Sequence, residues 1–299
     1  MRGMNGRWGR VVTAMVTPFD GRGEVDYGRA EQLAHWLLAN GSESLVINGT
    51  TGESPTTDGD EKAELVRVVA AVVGKGKTIA GIGGNDTRAV VKTALRAYDA
   101  GAGALLAVAP YYNKPSQEGL YRHFRAVAEA TPLPVILYNV PGRTITNIEA
   151  STTARLAKDV PNIVATKEAS ANLAQVAEIV RTTPDDFNIY SGDDGTVLPT
   201  LAVGGAGVIS VVSHLCGRDL QASCNAWFDG DPTGALRLFL RTLPLTRAVF
   251  SAPSPSPLKY ALGKIGQPVG GVRLPLVELT EVEERVVDAA LAEYGTFGI

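Results

Sequence analysis

The sequence repeats one pattern eight times: a short apolar run, followed in most cases by a segment with helical periodicity. The runs are Val11–Val16, Ser44–Asn48, Thr78–Ile82, Ala104–Ala109, Pro134–Tyr138, Asn162–Thr166, Asn188–Ser191 and Gly207–Val211. Apolar runs of this length are typical of strands buried on both faces. Strands that alternate with helices pair in parallel through right-handed crossovers. The pattern therefore predicts a parallel α/β fold.

The segments between the runs carry the spacing of amphipathic helices. One helical face consists of Ala30, Leu33, Ala34, Leu37 and Leu38, and another of Leu65, Val68, Val69, Val72 and Val73. Eight strand–helix units in about 220 residues favour a (β/α)8 TIM barrel, a fold that usually needs about 250 residues. A doubly wound open sheet is the alternative architecture.

The strand pattern ends after the eighth run. Residues Ala235–Val249 and Val282–Tyr294 have helical periodicity, and a proline-rich link at 251–257 separates them. We therefore expect residues 1–225 to form the barrel. Residues 226–299 are expected to form a C-terminal helical extension that packs on it.

Composition and charge restrict the partners of this chain. Of its 299 residues, 45% are hydrophobic and 20% are charged, which is typical of a globular protein. The net charge is −3 and no long basic stripe occurs, so nucleic acid is not an expected partner. No apolar run approaches the roughly 18 residues of a membrane span. The first run is short and polar-interrupted, so we expect a strand rather than an export signal, and a cytoplasmic protein.

The two cysteines, Cys216 and Cys224, lie close together in sequence with His214 beside them. These residues are too few for a structural zinc site. A disulfide between them stays open, but free thiols are the expected state in a cytoplasmic protein.

No segment predicts a cofactor or a metal ion. The glycine-rich segment Gly81–Asn85 lacks the Gly-Lys-Ser/Thr ending of a nucleotide loop and the spacing of a dinucleotide fold, so a tight turn is the better interpretation. The neighbouring carboxylates of Asp193 and Asp194 have no third carboxylate or histidine close in sequence, so we predict no metal site there.

Lys167 directly follows the sixth apolar run. A lysine buried there is costly unless it is paired or functional. Burial lowers the pKa of an amine and favours the neutral form, which attacks carbonyl groups. The alternative is a lysine whose stem packs along the strand while its ammonium group reaches water. Glu168 should point to the opposite face and have a structural role, because successive strand residues alternate.

Two other segments place hydroxyl groups after predicted strands: Gly49–Ser54, which reads GTTGES, and Tyr138–Thr144, which reads YNVPGRT. Together with Asn162–Ser170 they resemble the pyruvate-dependent class I aldolase family that includes dihydrodipicolinate synthase and N-acetylneuraminate lyase. The resemblance extends from Thr13 to about Pro275. It implies a barrel whose site lies at the carboxyl ends of the strands.

The resemblance implies the catalytic residues and their roles. Lys167 would form an imine with a keto acid, and Tyr138 would shuttle protons in a relay with Thr50 and Tyr112. In the family, the residue at the position of Tyr112 crosses a subunit interface, which implies a homotetramer here. From the residues alone, Tyr111 and Tyr112 are better interpreted as an exposed aromatic pair at a loop tip.

The resemblance also implies the residues that bind substrate. Thr51 and the backbone amides of its turn suit the keto-acid carboxylate, since N–H groups at a helix start favour anions. Gly192 and Ile209 match positions that line the pyruvate site. Arg143 marks the dihydrodipicolinate synthase branch and would hold the carboxylate of aspartate semialdehyde in a two-pronged contact. The less favoured alternative for Arg143 is a solvated loop residue.

The resemblance therefore implies a lyase that condenses pyruvate with L-aspartate 4-semialdehyde in lysine and diaminopimelate biosynthesis, without a cofactor. The first alternative is another pyruvate-dependent aldolase of the family, acting on a 2-keto sugar acid, against which Arg143 argues. The second is a non-catalytic ligand-binding protein on the same barrel. The joint presence of Lys167, Tyr138, Thr50 and Thr51 argues against that second alternative.

The chain departs from the family's pattern in two places. Residues 254–259 read Ser-Pro-Ser-Pro-Leu-Lys where the family often has Asn-Pro-Ile-Pro-Val-Lys, which bears on subunit packing and substrate fit. The other place is the site at which lysine inhibits many relatives. There Ser54, Asn85 and Tyr111 match, Gly59 and Lys62 replace histidines, and Ala89 replaces a glutamate that would hold the lysine amine. We therefore predict weak or absent inhibition by lysine.

Overall fold

The computed structural model describes residues 6–295 and residue 297. Eight parallel strands pair in sequence order and close into a barrel, because the first strand pairs with both the second and the eighth. They are β1 (Val11–Ala14), β2 (Ser44–Ile47), β3 (Thr78–Gly81), β4 (Ala104–Val108), β5 (Val135–Asn139), β6 (Ile163–Glu168), β7 (Asn188–Ser191) and β8 (Gly207–Ser210). The predicted (β/α)8 barrel is confirmed, and the open-sheet alternative is wrong.

Helices fill the intervals between the strands and form the C-terminal part of the chain. They are α1 (Tyr27–Ala39), α2 (Gly59–Val73), α3 (Thr87–Asp99), α4 (Gln117–Glu129), α5 (Pro141–Thr144), α6 (Ala150–Asp159), α7 (Leu173–Thr182), α8 (Val197–Ala202), α9 (Ser213–Phe228), α10 (Pro232–Ala248), α11 (Ser256–Lys264) and α12 (Glu281–Tyr294). Within the described residues, no helix is both long and apolar enough to cross a membrane.

Local sequence explains where these helices begin and which face they bury. Asp58 begins α2 with a capping box: its carboxylate accepts from the Glu61 backbone N–H, and the Glu61 side chain accepts from the Asp58 backbone N–H. The predicted face of α1 is buried except for Leu38, which is partly exposed. On α2, Val66 is fully buried and Val68 is only half-buried, so the buried face is slightly rotated from the predicted one.

The strand side chains alternate between two apolar layers. Outward-facing residues join the helices in the larger core, and inward-facing residues such as Val12, Val46 and Ile136 fill the barrel. Ala165 belongs to the inward set. Because side chains alternate along a strand, Lys167 also points into the barrel, at the carboxyl end of β6.

The C-terminal part is helical, as the sequence predicts, but it contains one helix that the pattern missed. The predicted helices correspond to α10 and α12, whereas α11 begins inside the predicted proline-rich link. Pro257 lies in the first turn of α11, where a missing N–H costs nothing.

The division at residue 225 falls within α9 and stays a prediction. Cys216 and Cys224 are buried free thiols on that helix.

Candidate active site

A cavity of about 230 Å³ lies at the carboxyl ends of the strands. In a barrel of parallel strands these ends converge on one mouth. The predicted site residues that line the cavity are Thr50, Thr51, Tyr138, Arg143, Lys167 and Gly192. The structure therefore brings together residues that the sequence spreads over four strand ends.

A larger cavity of about 450 Å³ adjoins the first one, since Thr50, Tyr138 and Arg143 line both. It extends to Lys62 and Tyr111. The two cavities form one cleft, in which the smaller part holds the lysine and the larger part opens beyond it.

Lys167 is 4% exposed and lies beside Tyr138. The two residues are direct partners across β5 and β6, and Lys167 Nζ lies 4.4 Å from the centre of the Tyr138 ring. Burial of the lysine leaves its amine facing the cavity rather than open solvent. This places an amine and a phenol at the same point of the cleft, and these are two groups that imine chemistry can use.

Gly192 gives the Lys167 side chain its space. A Cβ at this position would lie 2.9 Å from Cγ and 3.0 Å from Cε of Lys167, and 2.7 Å from Cβ of Ala169. Any larger residue would force the lysine to move. Glycine at position 192 is therefore needed for the observed path of the lysine.

The Thr-Thr-Gly turn follows β2 and forms another wall of the cavity. Thr51 is buried, and the Thr17 hydroxyl donates to the Gly52 carbonyl at 2.7 Å. The sequence places this turn at a helix start, but only a short 3-10 turn follows at Ser54–Thr56, and α2 begins at Gly59. The expectation of a helix start at the turn is therefore wrong, because the chain needs a further loop before α2.

Arg143 lies on the short helix α5 and lines both parts of the cleft. Its guanidinium makes no hydrogen bond or ion pair with any described residue, so its five N–H donors are available to a ligand. A guanidinium facing a cleft is well suited to a planar carboxylate.

Two predicted residues are not among those that line the cleft. Ile209 is buried in the apolar interior of the barrel, in the cluster that contains Tyr138. Tyr112 is 87% exposed and has a left-handed backbone with a φ of 73°. Its neighbour Tyr111 lines the larger cavity instead.

Glu168 points away from the cleft, as strand alternation predicts. Its carboxylate accepts from Asn139 Nδ2 at 3.0 Å, from the Ser170 backbone N–H at 3.0 Å and from Gln175 Nε2 at 3.2 Å. Burial raises the pKa of this carboxyl group, and the hydrogen bonds oppose that rise. Glu168 thus links β5, β6 and α7 from outside the barrel.

Asp193 and Asp194 are neighbours in sequence, but the structure places their carboxylates in different environments. Asp193 lines the cavity, whereas Asp194 is buried and accepts from the Val211 and Val212 backbone N–H groups at 2.9 and 3.0 Å. Burial raises the pKa of Asp194; its hydrogen bonds with Ser210 and with the Val212 and Val211 backbone oppose that rise, and the charge of Lys167 adds a smaller opposing effect. The sequence carried no signal for this role. Among the described residues, no group of three or more potential metal ligands occurs.

Comparison with known proteins agrees with this geometry. Residues 7–294 match the model of the dihydrodipicolinate synthetase family. The chain belongs to that family. It is similar to the 4-hydroxy-tetrahydrodipicolinate synthase of Bacillus subtilis, with 48% identity over 287 residues that cover 96% of this chain and 99% of the relative. Membership of this family makes the chain an enzyme of the lyase class.

Solved structures of synthases in the family share the fold closely. The dihydrodipicolinate synthase from Cyanidioschyzon merolae with lysine bound has a TM-score of 0.95 and 47% identity, covering 97% of this chain and 99% of that one. The chloride-inhibited synthase from Acinetobacter baumannii complexed with pyruvate has a TM-score of 0.92 and 37% identity, covering 96% and 98%.

Proposed function

We propose that this chain condenses pyruvate with L-aspartate 4-semialdehyde to give 4-hydroxy-tetrahydrodipicolinate, through a Schiff base on Lys167. Its activity is then that of the relative from Bacillus subtilis, in lysine and diaminopimelate biosynthesis. The observation that carries the proposal is the buried Lys167 amine beside Tyr138, in a cleft that also presents the unpaired guanidinium of Arg143.

The first step joins Lys167 to pyruvate. The neutral amine attacks the keto carbon, and the resulting carbinolamine loses water to give a protonated imine. The protonated imine withdraws electrons from the neighbouring methyl group. The methyl group then releases a proton, and the imine becomes an enamine. The enamine carbon attacks the aldehyde carbon of the second substrate, and hydrolysis or cyclisation frees the lysine.

Tyr138 moves protons in these steps. Its ring lies beside the Lys167 amine, so its hydroxyl is close to the atoms that gain and lose protons. Thr50 extends the relay from the neighbouring wall. Tyr112 of a second chain completes it, in a homotetramer. The 87% exposure of Tyr112 in the single chain leaves its ring accessible to a second chain.

The carboxylate of pyruvate lies against the Thr-Thr-Gly turn. The Thr51 hydroxyl and the backbone N–H groups of the turn are neutral donors that hold the anion close to the imine without pairing with the lysine. Gly192 leaves room for the keto acid beside Lys167, and Ile209 packs in the apolar cluster beneath Tyr138 without lining the cleft.

Arg143 selects the aldehyde. Its free guanidinium binds the carboxylate of aspartate semialdehyde in a two-pronged contact. A sugar aldehyde has no carboxylate for this group, which disfavours the 2-keto sugar acid alternative. The joint presence of a buried lysine, a phenol and the two threonine hydroxyls in one cleft is typical of imine chemistry, which disfavours the non-catalytic alternative. The reaction uses no cofactor, and we place it in the cytoplasm.

The experiment that tests this function traps the imine. Incubation with pyruvate and borohydride should attach one reduced pyruvate to Lys167, detected by peptide mass spectrometry. Lys167→Ala should give no adduct, and Lys158→Ala, at an exposed position of α6, is the matched control. An adduct on another lysine would overturn the assignment of the nucleophile. Turnover with N-acetylmannosamine or glyceraldehyde in preference to aspartate semialdehyde would overturn the assignment of the substrate.

A further inference from the structure

A buried pair of charges joins the Thr-Thr-Gly turn to the C-terminal part of the chain. Glu53 directly follows the turn, and Lys259 lies on α11. Lys259 Nζ lies 2.7 Å from Glu53 Oε1, and the side chains are 2% and 1% exposed. Neither residue lines the cleft. Any effect of the pair on the site must therefore pass through the backbone of the turn that precedes Glu53.

The lysine is fixed by several contacts besides the ion pair. Its ammonium group donates to the Gly271 carbonyl at 2.6 Å and lies 4.1 Å from the centre of the Phe19 ring. The guanidinium of Arg273 lies 4.4 Å from the centre of the same ring. Phe19 also donates its backbone N–H to the Val269 carbonyl at 3.0 Å. These contacts fasten the segment after α11 to the loop after β1.

Arg273 forms hydrogen bonds on the outer side of the turn. Its backbone N–H donates to Glu53 Oε2 at 3.0 Å, so both oxygens of that carboxylate are engaged by the C-terminal part of the chain. Its guanidinium donates to the Thr56 carbonyl at 2.8 Å and to both carboxylate oxygens of Glu61 at 2.8 and 2.6 Å. The chain from Glu53 to Glu61 is thus held along its length.

The turn needs such support because of its backbone conformation. Glu53 has a φ of 53°, in the left-handed region that costs a non-glycine residue energy. Its N–H donates to the Thr50 carbonyl at 3.1 Å, which closes the turn. On the inner side, Thr17 donates to Gly52. The shape of the turn is therefore set by contacts on both of its sides.

We propose that Glu53 and Lys259 are positioning residues through which the C-terminal helices hold Thr50 and Thr51 in register with Lys167. The proposal rests on the proposed function, since it takes Thr51 as a donor to the pyruvate carboxylate. Loss of one member leaves a buried charge without its partner, which the turn relieves by moving toward water. The pair thus gives the helical extension a part in pyruvate binding.

The test compares Lys259→Met and Glu53→Gln with Lys264→Met. Lys264 lies on the same helix but is half exposed and pairs with Asp288 at 3.5 Å, so its substitution is the matched control. We expect kcat/KM for pyruvate to fall by roughly tenfold to a hundredfold in the first two variants, mainly through KM. The KM for the aldehyde should change little, because Arg143 lies on α5, away from the contacts of Glu53 and Lys259. Lys264→Met should behave as the wild type.

A second comparison separates positioning from general loss of stability. Lys259→Arg keeps the charge and should recover most of the pyruvate affinity that Lys259→Met loses. A variant that is merely less stable contains less folded enzyme, so kcat falls and KM for pyruvate stays constant; that result would overturn the proposal. If Lys259→Met does not fold, Glu53→Gln decides by the same measurement, since it keeps the shape of the side chain.

The failure of this inference can be told apart from the failure of the proposed function. Trapping of pyruvate on Lys167 of the wild type establishes the imine independently of the ion pair. A wild type that traps pyruvate, with Lys259→Met and Glu53→Gln showing unchanged KM for pyruvate, would overturn only the positioning role. A wild type without an adduct would overturn both.

Discussion

Lys167 Nζ lies 4.4 Å from the centre of the Tyr138 ring, and the barrel itself sets that distance. The two residues are partners in the register of β5 and β6. A shift of one residue in either strand would turn one of the two side chains out of the barrel. The amine and the phenol are therefore positioned by the most rigid part of the fold.

Replacement of Tyr138 by phenylalanine keeps the ring beside Lys167 and removes only the hydroxyl. Because general acid–base catalysis contributes about 10²- to 10⁴-fold to rates, we expect kcat to fall by a factor in that range. Borohydride should still trap pyruvate on Lys167, more slowly than in the wild type. Steady-state kinetics and trapping rates measure both effects, and an unchanged kcat would remove Tyr138 from the proton relay.

Arg143 provides a prediction that separates the two substrates. Loss of its charge-assisted contact, typically worth about 1.5–3 kcal/mol, should raise the KM for aspartate semialdehyde about tenfold to a hundredfold in Arg143→Ala. Arg143→Lys should recover only part of this, because lysine cannot form the two-pronged contact. Trapping of pyruvate should be unaffected in both variants. Full turnover by Arg143→Ala would show that another group selects the aldehyde.

The need for glycine at position 192 can be tested by adding a single methyl group. In Gly192→Ala the new Cβ would meet Lys167 carbons at 2.9 and 3.0 Å, so the lysine must leave its observed path. A displacement of about 1 Å can cost about 10²-fold in rate, and we expect a loss of that order in kcat. Gly195→Ala in the same loop is the matched control, since its Cβ would only touch Asp193 Oδ1 at 3.4 Å. Equal activity of the two variants would contradict the prediction.

The barrel was predictable because its strands are short, buried and regularly spaced, and because parallel strands need helices between them. The residues at strand ends could be identified for the same reason: a closed parallel barrel brings those ends together. Helix α11 was missed because its prolines indicated a link. Pro257 lies at its beginning, where proline is tolerated, and periodicity gives no sign of that.

The contacts that support the site could not be predicted from sequence. Arg273 donates to Glu53 across 220 positions of the chain, and no local pattern links the two. Asp194 is buried, whereas its sequence neighbour Asp193 lines the cavity. This difference depends on how the loop after β7 packs on the start of α9. Such pairs arise from tertiary packing, which composition and periodicity do not encode.

Inhibition by free lysine should be weak or absent. Lys62 is half-buried and lines the larger cavity, and its ammonium group forms no hydrogen bond or salt bridge with a described residue; burial lowers its pKa, and the charges of Asp58 and Glu61 oppose that fall. The Arg96 guanidinium lies against Gly59, where a Cβ would collide with it. By the family resemblance, Lys62 thus places a cation where a sensitive relative has a histidine, the Arg96 guanidinium occupies the space beside Gly59, and Ala89 offers no carboxylate to a lysine amine.

The measurement is the initial rate with increasing lysine at fixed substrates. Half-inhibition below about 1 mM would contradict the prediction, since that concentration corresponds to about 4 kcal/mol of binding free energy. Ala89→Glu should strengthen any residual inhibition by about tenfold or more, because it restores a charge-assisted contact. A neutral counterpart, Ala89→Gln, controls for the added side chain.

Two buried histidines make the fold sensitive to acid. Burial lowers the pKa of His123 and of His214 to about 4 in each case. His214 donates from Nδ1 to the Val211 carbonyl at 2.8 Å and accepts the Val16 backbone N–H at Nε2, at 3.2 Å. A second proton on this ring, at Nε2, would place that N–H against the Val16 backbone N–H, and the hydrogen bond between them would be lost. Burial and the hydrogen bond from Val16 disfavour protonation of His214 in the folded chain, and burial alone disfavours it for His123.

The sign of the pH effect follows from these pKa values. An unfolded histidine binds a proton near pH 6.5, so between pH 6.5 and 4 the unfolded state takes up protons that the folded state does not. The free energy of unfolding should thus fall by about 2 kcal/mol per histidine between pH 7 and pH 5. The carboxyl groups of Glu168 and Asp194, whose pKa values burial raises, act in the opposite sense.

A difference between variants isolates the histidine contribution from those carboxyl groups. His123→Gln should keep a hydrogen bond to Thr87, whose hydroxyl lies 2.8 Å from His123 Nδ1, and lose the titrating ring. Denaturant unfolding at pH 7 and pH 5 should show a fall that is about 2 kcal/mol smaller in His123→Gln than in the wild type. His35→Gln, at an exposed position of α1, is the matched control. Equal falls in His123→Gln and the wild type would mean that His123 is protonated in the folded chain, and that its burial is less complete than its 5% exposure indicates.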